Sequence, residues 1–452
     1  MLSRVRPFVA PLYLFACLIL GGSAQGIWQN MVLQLFGLAL IAWAAMSRFE
    51  EPMARPARQV LLIAGLGLAV VAAQLIPLPP SLWAHGARIP IAQGFAVLGR
   101  PLSALPLSLT PYATLNSLLG FIPPLALFCA IARLRAYRAV WLSVALIAGA
   151  IAGIMLGALQ VASSGDNTAW YPYLETNYGA AVGFFANANH MGSLMVVSVP
   201  FLAAIAAAGK SKNVQRYSAL VAIAAGVGLI LLVGIALNGS LAAYGLALPV
   251  IVASTSMIIP AGNPLRRIVL GAALLLLLVA TVGLAKSSIG ATALRQDAST
   301  AVQTRGEILH TSAKAVRDFM PLGSGLGSFR AVYQLYESPD EVSTTYVIHA
   351  HDDYVELALE LGLAGVAVIA LFLLWFGAVV WRLWATAEPL PFARAASIAA
   401  AALLAHSAVD YPLRTAAISA CFAMCVALLA DRRAAPVAEK SALRPARHLV
   451  FN

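Results

Sequence analysis

The chain has 452 residues, of which 61% are hydrophobic and 10% are charged, and its formal net charge is +11 at pH 7. Soluble domains carry roughly 25% charged residues, so this composition excludes an ordinary globular enzyme and indicates a polytopic membrane protein. The basic residues sort to one side of the predicted membrane, so we interpret the charge as a topology signal and expect no nucleic acid as a partner. The four cysteines lie in apolar runs without a CxxC pair, so they indicate neither a disulfide framework nor a zinc site. Cys421 and Cys425, four residues apart on one predicted helix, are interpreted as small packing residues.

Apolar stretches of roughly 17–25 residues are typical of membrane-spanning helices. We predict about twelve transmembrane helices, and hence an all-α polytopic membrane protein. The first stretch is interpreted as a span rather than as a cleaved signal peptide, because a second apolar stretch follows closely. The predicted spans are residues 8–25, 30–47, 60–78, 114–132, 139–162, 188–208, 217–237, 241–260, 268–285, 362–383, 394–409 and 414–430.

The positions of Lys and Arg between the predicted spans set the orientation. With a cytoplasmic N-terminus, most of the 29 basic residues fall in cytoplasmic segments, and most of the remainder lie in one long loop, where the charge rule is weakest. Both termini are therefore predicted to be cytoplasmic. The basic segments are also expected to contact membrane lipids with anionic headgroups.

This topology divides the chain into four regions. They are spans one to nine (1–285, with outside segments 79–113 and 163–187), a long outside loop (286–353), spans ten to twelve (354–430) and a cytoplasmic tail (431–452). Within the long loop we predict a helix over 299–317, a turn over 320–327 and a second helix over 328–337. A loop of this length without structure would be uncommon, so it predicts a small functional cap.

A polar cluster at residues 349–353 (HAHDD) ends the long loop and precedes the tenth span. Such a cluster at a membrane edge is costly and is therefore a functional candidate. A histidine there, His349 or His351, can accept a proton near neutral pH. Two alternatives stay open: a solvated helix start, and a metal site formed by His349, His351 and Asp352, for which the sequence offers no further ligand set.

Carboxylates follow this cluster at helical spacing. If residues 352–362 form a helix, then Asp353, Glu356 and Glu360 share one face. Asp353 or Glu356 would then orient the neighbouring histidine and keep it basic.

Three further groups carry candidate chemistry. Arg305, close to Glu307 in residues 303–307 (QTRGE), is a natural partner for a phosphate, although a solvated arginine is the alternative. Asn187, Asn189 and His190 enter the sixth span, where one Asn would serve as a helix cap and the group would line a path for sugar hydroxyls.

The third group lies in residues 406–414 (HSAVDYPLR) between the last two spans. Here Asp410 and Arg414 are candidates for a simple ion pair across a tight turn. The glycines at 323, 325 and 327 follow no strand, which excludes a dinucleotide fingerprint and favours a loop turn.

Together these segments resemble the O-antigen ligase and polysaccharide polymerase superfamily of bacterial inner-membrane proteins. The resemblance rests on residues 183–190 (GFFANANH), on 305–308 (RGEI) with 321–330 (PLGSGLGSFR), and on 349–354 (HAHDDY) with 362–365 (GLAG). The segment 406–414 also resembles one found in a branch of the superfamily. The likeness covers roughly residues 170–415.

The resemblance implies a multi-pass inner-membrane glycosyltransferase with a periplasmic active site. The donor would be a glycan on undecaprenyl diphosphate, and the acceptor a hydroxyl of lipid A–core, a growing polysaccharide or another molecule. His349 resembles the essential loop histidine, with His351 as a rival, and Arg305 resembles an arginine that holds the diphosphate. We expect no metal or cofactor, and inversion at the anomeric carbon.

One departure from the family pattern concerns the start of the eighth span. Many relatives have Ser-Arg there, whereas this chain has Ser240 followed by Leu241. One contact with the diphosphate is then either missing or supplied from elsewhere, with Arg330 and Arg414 as the candidates. The alternatives that remain are a polysaccharide polymerase, a lipid-linked glycan transporter and an inactive binding relative.

Overall fold

The computed structural model describes most of the chain. The described residues are 5–24, 26–47, 52–163, 168–210, 213–257, 259, 263–286, 305–339 and 346–431. Apart from residue 431, the predicted cytoplasmic tail lies outside the described residues, as do residues 287–304 and 340–345 of the predicted long loop.

Within these ranges the fold is predominantly helical with almost no strands, as predicted. The helices are α1 (Val9–Leu20), α2 (Ile27–Met46), α3 (Arg55–Ala73), α4 (Pro80–Trp83), α5 (Ile89–Val97), α6 (Pro111–Gly120), α7 (Ile122–Ala132), α8 (Ala139–Ala162), α9 (Ala188–Ala208), α10 (Val214–Asn238), α11 (Leu241–Thr255), α12 (Pro264–Lys286), α13 (Arg305–Phe319), α14 (Phe329–Tyr336), α15 (Asp353–Ala385), α16 (Pro391–His406) and α17 (Ala416–Ala430). Two short strands, β1 (Pro77–Leu78) and β2 (Leu105–Pro106), pair antiparallel.

Eight helices in the described part of the chain are long and apolar enough to cross a membrane. They are Ile27–Met46, Arg55–Ala73, Pro111–Ala132, Ala139–Ala162, Ala188–Ala208, Val214–Asn238, Pro264–Val282 and Asp353–Ala385. The other four predicted spans correspond to shorter apolar helices, at Arg6–Leu20, Leu241–Thr255, Pro391–His406 and Ala416–Ala430. A helix of 15 residues rises only about 22 Å against a hydrocarbon core of about 30 Å. The count of about twelve crossings therefore stays a prediction.

Helix α9 lies at the centre of the bundle, where it packs against α8, α10, α11 and α16. Small residues bring these helices close together: a Cβ added to Gly192 would lie 2.7 Å from the Cβ of Ala243 on α11. In lipid, helices associate through close packing of this kind rather than through the hydrophobic effect. The packing fixes the N-terminus of α9 relative to α11 and α16, and it buries Cys421 and Cys425 of α17 in the same core, in keeping with their predicted packing role.

Helix α15 is broken at Gly362, whose φ of 61° and ψ of −152° are not helical. This backbone conformation is essentially confined to glycine. The carbonyls of Leu359 and Glu360 lose their helical partners there and instead accept hydrogen bonds from the backbone N–H groups of Ser324 and Gly325, each at 2.9 Å. The break is thus satisfied by the 320–327 turn, as irregular backbone at membrane depth requires.

The same turn anchors the outside segment 79–113. The buried Arg88 donates hydrogen bonds to the carbonyls of Leu107, at 2.6 Å, and Gly323, at 2.7 Å, and burial lowers its pKa. Gln74 Nε2 donates to the carbonyl of Glu360 at 2.8 Å. Segment, turn and the start of α15 therefore form one hydrogen-bonded unit.

Both predicted loop helices are present in the described residues, as α13 and α14. Apolar residues on them form a cluster with the start of α15, which includes Phe319, Phe329, Tyr333 and Leu359. The loop helices therefore pack directly on the element that carries the predicted carboxylates. Their location outside the cytoplasm stays a prediction.

Candidate active site

The N-terminus of α15 is fixed by Asp352, whose Oδ1 accepts hydrogen bonds from the backbone N–H groups of Tyr354 and Val355 at 2.9 and 3.0 Å. This is an N-cap, which satisfies donors that the helix leaves unpaired. Burial raises the pKa of Asp352, and the two hydrogen bonds oppose that effect. The Asp352 carboxylate is thus engaged with the helix start rather than turned towards the two histidines as a shared metal ligand.

The cap sets the register of three buried carboxylates, which lie on one face of α15 as the sequence predicts. They converge on Arg414, whose nitrogens lie 3.4 Å from Asp353 Oδ1, 3.1 Å from Glu356 Oε1 and 3.2 Å from Glu360 Oε2. Burial would lower the pKa of Arg414, but these carboxylates raise it above its ordinary value. Arg414 therefore does not form the ion pair with Asp410 that the sequence suggested, and its guanidinium is already occupied.

His349 forms the first imidazole–carboxylate pair. Its Nδ1 lies 2.9 Å from Oε1 of Glu356, whose Oε2 accepts a hydrogen bond from the backbone N–H of Ala350 at 2.9 Å. An ionised carboxylate only accepts hydrogen bonds, so Nδ1 carries the proton and Nε2 of the neutral ring is left as the base. The His349 side chain is 21% exposed, whereas Glu356 is buried.

His351 forms a second pair on the other side of the cluster, with Nδ1 3.1 Å from Oδ1 of Asp410. Its backbone has a φ of 53°, a left-handed conformation that is uncommon for residues other than glycine and that concentrates at functional sites. Burial would raise the pKa of the Asp410 carboxyl, but the hydrogen bond from His351 and the surrounding imidazoles hold it well below its usual range.

The ring of Tyr411 stands between the histidines. Its centroid lies 4.1 Å from that of His349 and 5.2 Å from those of His351 and His190. Sequence reasoning missed Tyr411 as a site residue, although it lies in the singled-out segment 406–414. An aromatic residue beside Asp410 was the signal that could have found it.

Polar residues at the start of α9 hydrogen-bond the Asp410 carboxylate. Asn187 is the N-cap of α9, as predicted for one of the two asparagines, and its Oδ1 accepts from the N–H of Asn189 at 2.8 Å. Asn189 Nδ2 donates to Asp410 Oδ2 at 2.6 Å, and its Oδ1 accepts from the hydroxyl of Ser240 at 2.7 Å. Ser240, the N-cap of α11, was not predicted as a site residue, because its role depends on a contact between distant helices.

A second layer lies deeper in the bundle. His406 Nδ1 lies 2.6 Å from the hydroxyl of Ser193, and its Nε2 lies 3.8 Å from Asp410 Oδ2. His190 is buried beside this layer, and neither of its ring nitrogens has a hydrogen-bond partner among the described residues. The predicted contacts of Asn187, Asn189 and His190 with sugar remain a proposal.

The predicted phosphate-binding arginines Arg305 and Arg330 lie on the loop helices α13 and α14. Helix α13 begins at Arg305, and the structure describes the backbone of Arg305 but not its side chain. Glu307 is exposed on the first turn of α13. Arg330 is exposed, with its guanidinium carbon 5.0 Å from the ring centroid of Tyr346. In the described part of the chain, no three His, Cys, Asp or Glu side chains are placed to share a metal ion.

The comparison with protein families bears on this geometry. Residues 226–370 match the model of a family described as O-antigen ligase. This region is similar to the O-antigen ligase family. The O-antigen ligase match includes Ser240 and the cluster from His349 to Glu360, whereas Asn189 and Asp410 lie outside it. A comparison with curated proteins gives no match.

The match agrees with the resemblance seen in the sequence over residues 226–370 and supports an O-antigen ligase or related polymerase-type membrane glycosyltransferase. With the apolar helices, it supports a multi-pass protein of the bacterial inner membrane and a role in lipopolysaccharide biosynthesis. Lipid-linked glycans and a polysaccharide or lipid A–core are the partners that an O-antigen ligase implies in general.

Proposed function

We propose that the chain transfers a glycan from undecaprenyl diphosphate to an acceptor hydroxyl at the periplasmic face of the inner membrane. The acceptor is a lipid A–core sugar, and the reaction inverts the anomeric carbon without a metal ion. Two findings support this proposal: the O-antigen ligase match and the two imidazole–carboxylate pairs beside Tyr411. The pairs carry it, because transfer to a hydroxyl needs a base and each pair leaves a ring nitrogen able to act as one.

In the proposed step, Nε2 of His349 takes the proton of the acceptor hydroxyl while the oxygen attacks the anomeric carbon. The bond between that carbon and the phosphate oxygen breaks, and its electron pair leaves with the diphosphate. Glu356 orients His349 through Nδ1 and stabilises the imidazolium that forms. Arg305 stabilises the charge on the diphosphate, since arginine presents a fork of donors to phosphate oxygens.

The second cation of the diphosphate clamp is Arg330 in this proposal. Of the two arginines that the sequence offers for this role, Arg414 is held by three carboxylates, whereas Arg330 is exposed on α14. An arginine that is already paired gains less from a phosphate than an exposed one, because it must first give up its carboxylates.

His351 is the alternative base, and the assignment between the two histidines is open to a direct test. Purified protein would be incubated with an undecaprenyl-diphosphate glycan and lipid A–core, with and without EDTA. We expect His349→Ala to abolish transfer and His351→Ala to reduce it, with no effect of EDTA. Full activity in both variants would end the assignment, and loss of activity with EDTA would establish a metal requirement.

A polysaccharide polymerase is the second candidate function, because the matched family supports polymerase-type enzymes as well. It uses the same chemistry with another lipid-linked glycan as the acceptor. The same assay with donor alone distinguishes the two: growth of longer lipid-linked chains identifies a polymerase. Movement of donor across vesicles without any transfer would instead identify a transporter.

A further inference from the structure

We infer that the bundle binds an anionic phospholipid in a groove between α3 and α15, at the end opposite to the candidate active site. The groove has a volume of about 500 Å³, within the range of roughly 300–1,000 Å³ that is usual for small-ligand sites. It is lined by Pro56, Gln59, Leu62, Ile63, Leu374, Trp375, Ala378, Val379 and Arg382.

The groove arises from the way the two helices pack. Helices α3 and α15 are in contact at Gly67, where an added Cβ would lie 3.5 Å from Val368. Between Gly67 and the start of α3 the groove lies between the two helices, and Trp375 and Val379 form its floor, since both are buried in the main apolar core. Leu374, in contrast, is 71% exposed at the rim. The gap is therefore open to the lipid side and closed towards the core.

Polarity within the groove is confined to one end. Gln59 and Arg382 are both exposed and line that end, and the remaining lining residues are apolar. Arg55 lies four residues before Gln59 and so shares its helix face one turn nearer the helix end. Both arginines lie close to helix ends, since α3 begins at Arg55 and α15 ends at Ala385.

This layout matches the shape of a phospholipid. An acyl chain suits the apolar length, and an acidic headgroup suits two arginines and an amide at the interface, because basic pockets between transmembrane helices are typical binding sites for anionic lipids. Arg382 lies about 40 Å of helix rise beyond Asp353, so the groove is separate from the candidate active site. The inference does not depend on the proposed function.

Native mass spectrometry of the purified full chain, titrated with phosphatidylglycerol, tests this inference. Arg382→Ala removes the headgroup cation, and Ala378→Trp fills the groove from its exposed rim. We expect each variant to lower bound phosphatidylglycerol by about fivefold or more. Arg216→Ala, which changes an exposed arginine at the start of α10, is the matched control and should bind as the unaltered chain does.

Three results would overturn the inference. Retained phosphatidylglycerol in Ala378→Trp would show that charge alone, and not the groove, holds the lipid. Equal binding of phosphatidylcholine would remove the anionic preference. Displacement by inorganic phosphate at the same concentration would identify the free ion, rather than a lipid, as the ligand. If Ala378→Trp does not fold, the comparison of Arg382→Ala with Arg216→Ala still tests the inference. Equal losses of bound phosphatidylglycerol in these two variants would contradict a site at Arg382.

Discussion

Nδ1 of His351 lies 3.1 Å from Oδ1 of Asp410, which is 59 residues further along the chain. The carboxylate comes from the turn between α16 and α17, and the histidine from the segment before α15. Asn189, from a third element, holds the other carboxylate oxygen at 2.6 Å. One buried charge therefore joins three distant parts of the chain beside the Tyr411 ring.

Replacing Asp410 with Asn should impair transfer. The amide cannot stabilise an imidazolium, and it loosens the contacts that place His351 and Asn189. We expect kcat to fall by up to about 10²-fold, because a small misplacement of groups beside the reacting atoms can cost that much. Steady-state kinetics of Asp410→Asn measure this, with Asp318→Asn, an exposed position on α13, as the control. An unchanged kcat would contradict a role for the pair.

The stability contributed by Asp410 should depend on pH in the acid range. Its pKa is lower in the folded state than the ordinary value of about 3.9. The contribution is therefore fully present above about pH 4 and is lost as pH falls towards the folded-state pKa. The difference in thermal midpoint between the unaltered chain and Asp410→Asn should persist from pH 7 to about 4 and narrow below. A difference that stays constant down to pH 3 would refute this.

Arg414→Ala should destabilise the fold strongly. Removal of the guanidinium leaves the buried carboxylates of Asp353, Glu356 and Glu360 without their shared cation. Breaking a buried ion pair in this way costs about 3–5 kcal/mol. Thermal unfolding in detergent measures the loss.

Arg100→Ala provides the comparison for Arg414→Ala. Arg100 is exposed, and its removal should change stability by no more than about 0.5 kcal/mol. Similar midpoints for the two variants would show that the Arg414 cluster contributes little to the fold.

Gly362→Ala and Gly377→Ala are a matched pair on the same helix. At Gly362 a Cβ would lie 2.1 Å from the carbonyl oxygen of Pro321, on a backbone that only glycine adopts easily, so a loss of about 2 kcal/mol or more is expected. At Gly377 a Cβ meets nothing within 4 Å, and alanine in a helix interior should stabilise by about 0.5–1 kcal/mol. Opposite shifts of the thermal midpoint verify this, and equal shifts would exclude the strained break.

The sequence predicts the helices well, because hydrophobic length and helix caps are local properties. Every predicted span coincides with an apolar helix, and the facing of Asp353, Glu356 and Glu360 follows from helical spacing. The sequence also places His349 and His351 at the start of a helix. These features depend on neighbours within about one or two helical turns.

The sequence does not predict which side chains on distant helices contact one another. Asp410 and Arg414 are four residues apart and suggested a pair, yet each binds residues of other elements. Ser240 and Tyr411 gave no strong signal of their own, because their contacts exist only after α9, α11 and α15 have packed. The break at Gly362 was hidden for the same reason: it is stable only where the 320–327 turn supplies hydrogen bonds.

The break at Gly362 interrupts the hydrogen bonding of α15 and divides this helix into two parts. The first part is fastened to the 320–327 turn, to Gln74 and, through the backbone N–H of Asp353, to the carbonyl of Ser407. The second part is a long apolar helix that packs against α3 and contributes Trp375 and Val379 to the main apolar core, so its tilt is set by that packing. The hydrogen bond from the N–H of Leu363 to the carbonyl of Pro321 ties the start of the second part to the same turn. Since the helical hydrogen bonds are interrupted at Gly362, the direction of the long part is set by its packing in the bundle, whereas the spacing of the histidines and their carboxylates is set by the turn.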